Sequence, residues 1–379
     1  MKIVIAPDSF KGSLSAKEVA VQIEKGIKKA DTKIESVLVP VADGGEGTME
    51  SLVAATDGKI IEQMVKGPLM QPVKAAYGVL GDNQTCVVEM ASASGLTLIH
   101  PSERNPLLTS TYGTGELIKA ALEQGYRNFI LAIGGSATND GGVGMLQALG
   151  MKLFDKEHQL IGFGGKELSR ITSIDRAQFD PRIMESSFII ASDVQNPFVG
   201  PNGASYVFGP QKGATLEMVK ELDHSLLRWA DIIEKETGIR VHEKSGAGAA
   251  GGIGGAFQAF FPSQMRRGID IVIEYTSLEE KLAGADLVFT GEGQIDYQTA
   301  SGKTAMGVSE LAKKHNIPVI VVAGSVGEGI EELYQYGITS VYSIVNAPMN
   351  LKQAISHCRE YVTFTVEQII RTYLAINKN

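Results

Sequence analysis

Cysteine and histidine are scarce in this sequence, and the scarcity excludes whole classes of chemistry. The two cysteines, Cys86 and Cys358, form neither a CxxC pair nor a zinc-ligand spacing, which argues against a disulfide scaffold and a cysteine-held metal. The expectation is a reduced, cytoplasmic chain with buried thiols. The six histidines are scattered, and neither HExxH nor a G-x-S-x-G elbow occurs, so a zinc hydrolase or a Ser–His hydrolase has no footing. No basic run is present and the formal net charge is −8, which speaks against a nucleic-acid partner. The opening apolar run, Ile3 to Ala6, stops at Pro7-Asp8 and is too short for a signal peptide or a membrane span. No low-complexity tract, internal repeat or coiled-coil stripe is visible, and the expected state is a monomer or small homo-oligomer.

Glycine, by contrast, is abundant. There are 43 glycines in 379 residues, well above the usual share of about 7%, and they cluster as they would in loops that approach a ligand closely. The length is about twice that of a common single domain, so two domains are expected.

The chain begins strand–helix–strand–helix. Ile3–Ala6 reads as a buried strand, Ser15 and Glu18 as the capping box of a helix, Ser36–Val41 as a strand, and Thr48 as the start of a second helix. Residues 59–66, 73–80 and 85–90 then read as an antiparallel meander. Helix 115–125, strands 129–133 and 188–191, and an amphipathic helix over 216–236 follow. From residue 285 strands and helices alternate again: strands at 286–290, 318–323 and 340–345, with helices at 303–315, 328–336 and 351–375. The pattern predicts an α/β protein in which a discontinuous flavodoxin-like doubly wound domain, 1–57 and 285–379, carries a second mixed α/β domain, 58–284, inserted within it.

In such a domain ligands bind where the strand order reverses, outside the carboxyl ends of the strands. Two loops are expected there, Asp8 to Ser13 and Gly291 to Asp296. Each combines carboxylate, glycine and a nearby lysine ahead of a helix N-terminus. Asp8, Ser9 and Lys11 in the first, and Glu292 and Asp296 in the second, are candidates for phosphate or metal binding. Ser301-Gly302-Lys303-Thr304 resembles the end of a P-loop, but Tyr297 stands where that motif needs glycine. Lys303 remains a phosphate candidate. Gly246-Ala-Gly248-Ala-Ala-Gly251 matches G-x-G-x-x-G, yet Arg240–Ser245 is a poor buried strand and the glycines of 251–255 oppose a helix. A phosphate-covering loop using Gly248, Gly251 and Gly252 fits better than a dinucleotide fold, with tight packing as the alternative. Gly134, Gly135, Ser136 and Asn139 lie in a turn directly after a buried strand, the layout of an anion-binding loop. Asp193 adds a carboxylate at another strand end.

These segments together resemble the type I glycerate kinases along nearly the whole chain. The resemblance rests on Ala6–Gly12, Ala42–Thr48, Gly134–Gly142, Asp193–Pro197, Phe208–Ala214, Gly246–Gly252, and Thr290–Gly293 followed by Asp296, Gly302 and Lys303. It implies ATP- and Mg²⁺-dependent phosphorylation of D-glycerate to a phosphoglycerate, with the 2-phosphate favoured, at a site in an interdomain cleft. Gln294 stands where arginine is expected and Ser245 where proline is usual; Lys303 or Arg267 would then compensate for the missing charge. Transfer to an alcohol needs charge neutralisation, positioning and a base. Lys11 and Lys303 are assigned to charge, Glu292 with Asp43 or Asp8 to Mg²⁺, and Asp193 or Asp296 to the base. The alternatives are a kinase for a related hydroxy acid such as tartronate or hydroxypyruvate, and a non-enzymatic sugar-acid-binding regulator.

Overall fold

The structure is a computed structural model and describes residues 1–297, 299 and 304–376. Its strands, in chain order, are β1 (Lys2–Ile5), β2 (Glu35–Leu38), β3 (Lys59–Lys66), β4 (Pro72–Val79), β5 (Thr85–Glu89), β6 (Asn128–Ala132), β7 (Lys152–Phe154), β8 (Ser173–Asp175), β9 (Ser187–Ala191), β10 (Ser263–Arg266), β11 (Leu287–Ile295), β12 (Val319–Val326) and β13 (Ile338–Ser343). The chain divides into two compact units. The first comprises Met1–Asp43, Ala54–Thr56 and Arg267–Asn379, the second Gly44–Val53 and Asp57–Arg266. Compared with an insert at 58–284, this partition moves residues 267–284 into the first unit and residues 44–53 and 57 into the second. The helix Gly268–Tyr275 joins the first unit because Ile269 lies against Gly307 of the helix Thr304–Lys314.

The first unit is built on one parallel sheet in the order β13-β12-β11-β1-β2. Both faces are covered, as parallel sheets require. Along β12, Ile320 and Val322 belong to one apolar cluster, while Val321 and Ala323 belong to the other. The helix Ala16–Ala30 starts at a capping box in which Ser15 and Glu18 satisfy each other's backbone N–H. Its apolar stripe, Val19, Ile23 and Ile27, joins Val362, Val366 and Ile370 of the closing helix Cys358–Ile376.

Three expectations change here. Residues 291–296 are not a loop from the start: β11 runs on to Ile295, pairing Gln294 with Ser325 and Ile295 with Val326. The helix expected at 328–336 is a 3₁₀ segment, Ile330–Tyr336, bounded by left-handed Gly329 (φ 74°) and Gly337 (φ 107°). The closing helix is two helices, Leu351–Ser356 and Cys358–Ile376. Asn350 caps the first with its own box, and the break at His357 brings Cys358 into the core.

The second unit holds a mixed sheet in the order β10-β9-β6-β5-β4-β3. β3, β4 and β5 form the antiparallel meander, and β5, β6, β9 and β10 run parallel. The long helix, Leu216–Thr237, buries Val219, Leu222, Leu226, Trp229 and Ile233, and ends at a left-handed Gly238. The glycines after residue 250 do not prevent a helix, since Ile253–Phe260 is one. Packing overrides propensity there. A Cβ on Gly255 would come within 2.6 Å of the Phe198 ring, so only glycine lets this helix approach so closely. The short hairpin β7–β8 carried no sequence signal strong enough to announce it.

The contact between the two long helices of the first unit is a sharp test of this packing. Gly26 faces the closing helix, where an added Cβ would stand 2.6 Å from the Thr363 carbonyl oxygen and 2.8 Å from Val366 Cβ. On propensity alone Gly26→Ala should stabilise a helix by about 1 kcal/mol. Crowding reverses the sign: the expected result is a loss of about 1–3 kcal/mol, read as a lower denaturant midpoint at unchanged slope.

Candidate functional site

In the first unit the chemistry gathers where the strand order reverses. β1 has β2 on one side and β11 on the other, and chain direction across the sheet turns at that point. Directly after β1, the Asp8 N–H donates to the Gly291 carbonyl (2.8 Å) and the Thr290 hydroxyl donates to the Ala6 carbonyl (2.8 Å). These bonds hold the Asp8 turn against β11. Gly293 of β11 lies beside this turn, with its Cβ position 3.4 Å from Lys11 N and 3.6 Å from Phe10 Cα, an ordinary contact distance.

Asp8 is only 6% exposed. Its carboxylate accepts from the Thr304 hydroxyl (2.6 Å) and from the Ser9 N–H (2.5 Å). Burial pushes its pKa up to about 6, and the nearby negative charge of Asp43 pushes the same way. The two hydrogen bonds and the positive charge of Lys11 oppose the shift without cancelling it. A carboxylate kept ionisable at this cost is a strong acceptor for a proton or a cation.

Glu292 accepts from the Thr299 hydroxyl (3.0 Å), and Asp296 accepts from Gln294 Nε2 (2.9 Å). The Asp8–Asp43 pair of the expected metal set is close in space. Among the described residues, however, no three His, Cys, Asp or Glu side chains form a group able to hold a metal, so Glu292 does not complete a trio with that pair. Arg267 is committed to Asp270 through two bonds of 2.8 Å and lies 3.9 Å from Glu310. Lys303 lies outside the described residues.

In the second unit the expected residues sit at the carboxyl ends of the parallel strands. Gly134, Gly135 and Ser136 follow β6, and Asp193 follows β9. The Gly44-Gly45 turn lies across these ends, with Gly44 against the Ala191 carbonyl (3.0 Å from its Cβ position) and Gly134 against Gly45 Cα (2.7 Å). Only backbones this bare can meet so closely. Gly248, Gly251 and Gly252 have a similar task. The Gly248 N–H donates to Asn196 O, the Gly141 N–H donates to Gly251 O, and a Cβ on Gly252 would stand 2.9 Å from Gly141 Cα. For these glycines, close packing of loop on loop accounts for the need.

The loop after β6 is held by groups that sequence reasoning missed as site residues. Asp140, fully buried, accepts from the Thr111 N–H and hydroxyl and from the N–H groups of Gly142 and Gly144, at 2.8–3.2 Å. Lys212, 1% exposed, donates to the Ser136 hydroxyl (2.8 Å) and the Thr138 carbonyl (2.6 Å). Burial lowers its pKa to about 7, while the charge of Asp140 works against the fall. Asn139 donates to the Ser205 hydroxyl (2.9 Å), but its Oδ1 and the Thr138 hydroxyl are buried without a partner. Lys212 was visible as the single cation in Phe208–Ala214, yet spacing alone could not show that it points inward.

A family profile described as the Glycerate kinase family matches residues 3–374. The chain belongs to the glycerate kinase family. It is 50% identical over 369 residues to the glycerate kinase of Bacillus subtilis (strain 168), covering 97% of each chain. It is 49% identical over 354 residues to the glycerate 2-kinase of Escherichia coli (strain K12), covering 93% of each. A crystal structure from Salmonella typhimurium LT2, provisionally described as glycerate kinase 2, superposes with a TM-score of 0.88 at 46% identity, over 100% of both chains. For a member of this family, the mixed α/β architecture is therefore seen in a close relative as well. No described helix is long and apolar enough to cross a membrane.

Glu89, at the end of β5, is another buried carboxylate. It accepts from the Gly47 N–H (3.1 Å) and the Met49 N–H (3.3 Å) at the start of the helix Thr48–Ala55. Burial raises its pKa to about 7, outweighing those two bonds. The folded state thus binds this proton more tightly than the unfolded chain. Its contribution is fully present below about pH 4.5 and is lost as pH rises through about 7. Glu89→Gln keeps an acceptor without the charge. Relative to the unsubstituted chain it should be more stable above pH 7, by an amount on the order of 1–3 kcal/mol, and its Tm should change less between pH 4.5 and 7. Parallel Tm–pH curves for the two proteins would refute this assignment.

Proposed function

We propose that this family member transfers the γ-phosphoryl group of ATP to the 2-hydroxyl of D-glycerate, giving 2-phosphoglycerate and ADP. The observation that carries the reading is the Asp8 turn: a buried carboxylate of raised pKa beside Asp43 and Lys11, at the strand-order reversal of a parallel sheet. The first unit is read as a flavodoxin-like doubly wound domain with the second unit inserted in it, because ligands of such sheets bind at that reversal. The choice of hydroxyl follows the name of the Escherichia coli relative, a glycerate 2-kinase.

The residues present suit a magnesium ion. Mg²⁺ is commonly held by one or two carboxylates, with substrate phosphates and water completing its shell. Asp8 and Asp43 supply such a pair, and their mutual repulsion is what a cation between charged groups would relieve. Bound Mg²⁺ would supply charge neutralisation to the phosphate oxygens. Lys11 adds a second positive charge near Asp8, and Lys303 is proposed to add another. In the second unit, the loop Gly134–Gly142, fixed by Lys212 and Asp140, has the layout of an anion-binding loop. Asp193 or Asp296 takes the proton from the glycerate hydroxyl as its oxygen attacks the γ-phosphorus and the bond to ADP breaks.

An assay of ADP release across glycerate, tartronate and hydroxypyruvate, with phosphorus NMR of the product, tests this reading. Glycerate should be the best acceptor and the product should be the 2-phosphate. A preference for another acid, or ligand binding without turnover, would replace the reading with one of its two rivals. Asp193→Asn and Asp296→Asn separate the candidate bases. The true base should lose about 100- to 10,000-fold in kcat with an unchanged Tm, and near-normal kcat in both variants would rule both out.

A further inference from the structure

The first unit contains a cavity of about 280 Å³ at the carboxyl ends of its strands. Lys11 and Phe10, from the turn that carries Asp8, line one side. The helix Leu351–Ser356 lines the other through Leu351, Ala354 and Ile355. Gly293 of β11 and Gly324 of β12 form part of its floor, and they face each other in register between the pairs Glu292–Ala323 and Gln294–Ser325. Two adjacent glycines leave bare backbone there, a flat surface without side chains.

The lining decides what fits. Among the described residues, Lys11 is the single charged side chain on it; the remainder is mostly aliphatic, with Ser13, Ser325 and Asn350 as polar points. Asn350 Oδ1 is taken by the Gln353 N–H as a helix cap, which leaves its amide NH₂ to donate. A small hydroxy acid, charged at one end and hydroxylated elsewhere, would leave most of this wall unmatched. A flat, weakly polar ring system with an anionic tail matches it, because such pockets bind by apolar contact and a few convergent polar groups. The tail would leave past Lys11, toward the Asp8–Asp43 pair.

We infer that this cavity seats the purine base of the nucleoside triphosphate, with the flat floor at Gly293 and Gly324 under the ring. The inference rests on the kinase reading for its substrate and for the kinetic arm of its test, but not for the calorimetric arm. Ala354→Phe puts a ring into the cavity from an unstrained helix position. In the assay its KM for ATP should rise about tenfold or more, a loss of about 1.4 kcal/mol, while kcat at saturation and the KM for glycerate stay within about twofold of the parent. Inhibition by magnesium tripolyphosphate, which has no base, should be unchanged. Ile355→Ala, at a half-exposed position, provides the same readout should the larger residue unfold the chain; a several-fold rise in KM for ATP is expected.

Calorimetric ADP binding to the parent and to both variants separates the two ideas. If the parent phosphorylates glycerate and the variants keep its ATP and ADP affinities, the base seat is wrong and the kinase reading stands. If the parent binds ADP, loses it on Ala354→Phe, and phosphorylates nothing, the seat stands and the acceptor reading falls. A parent that binds no ADP overturns both.

Discussion

The first unit spends stability on a single arrangement: a carboxylate at Asp8 that is almost wholly removed from water and set beside a second carboxylate at Asp43. Burial alone disfavours the charged form, and a like charge nearby disfavours it further. Folding does not need such a pair, since an apolar residue would fill the space at less cost. The local structure is arranged around it. Ser9 and Thr304 donate to Asp8, and Thr290 and Gly291 fix the turn against β11. Such a cost, borne at the strand-order reversal, is what a site for cations and phosphates would require.

The second unit solves a different problem with similar means. Its loops meet backbone to backbone, at Gly44–Ala191, Gly45–Gly134 and Gly141–Gly252, and buried ionic groups lock them from beneath. Asp140 gathers four donors, and Lys212 ties Ser136 to Thr138. Preorganised backbone donors are worth most when they need not move on binding. The abundance of glycine thus reports loop-on-loop contact as much as contact with a ligand.

Much of this was legible in the residues. Short strand-like runs and continuous apolar runs located the strands, and Ser15 with Glu18 marked a helix start whose capping box is present in the structure. What failed had physical causes. The glycines of 251–255 argued against a helix because propensity carries no knowledge of the Phe198 ring that needs their bareness. Gly291 and Gly293 read as loop because a strand interior seldom tolerates glycine, and here a Cβ on Gly291 would run into the Val322 carbonyl oxygen of β12. Lys212 escaped notice because its inward direction depends on tertiary structure, whereas Asp8 and Asp43 are both candidate metal ligands in the sequence and lie close enough in the fold to repel each other. The seven motif segments carried the family, and the family match over residues 3–374 agrees with them.

If Asp8 serves ligand binding at the expense of the fold, removing its charge must move stability and activity in opposite directions. The decisive measurement is Asp8→Asn at pH 8, above the raised pKa of about 6, followed by Tm without ligands and by kcat at saturating ATP, glycerate and Mg²⁺. The account predicts a higher Tm together with a kcat reduced by at least about a hundredfold. A lower Tm with kcat near that of the parent would show that Asp8 is a structural group, and the proposed phosphoryl-transfer site would have to lie elsewhere.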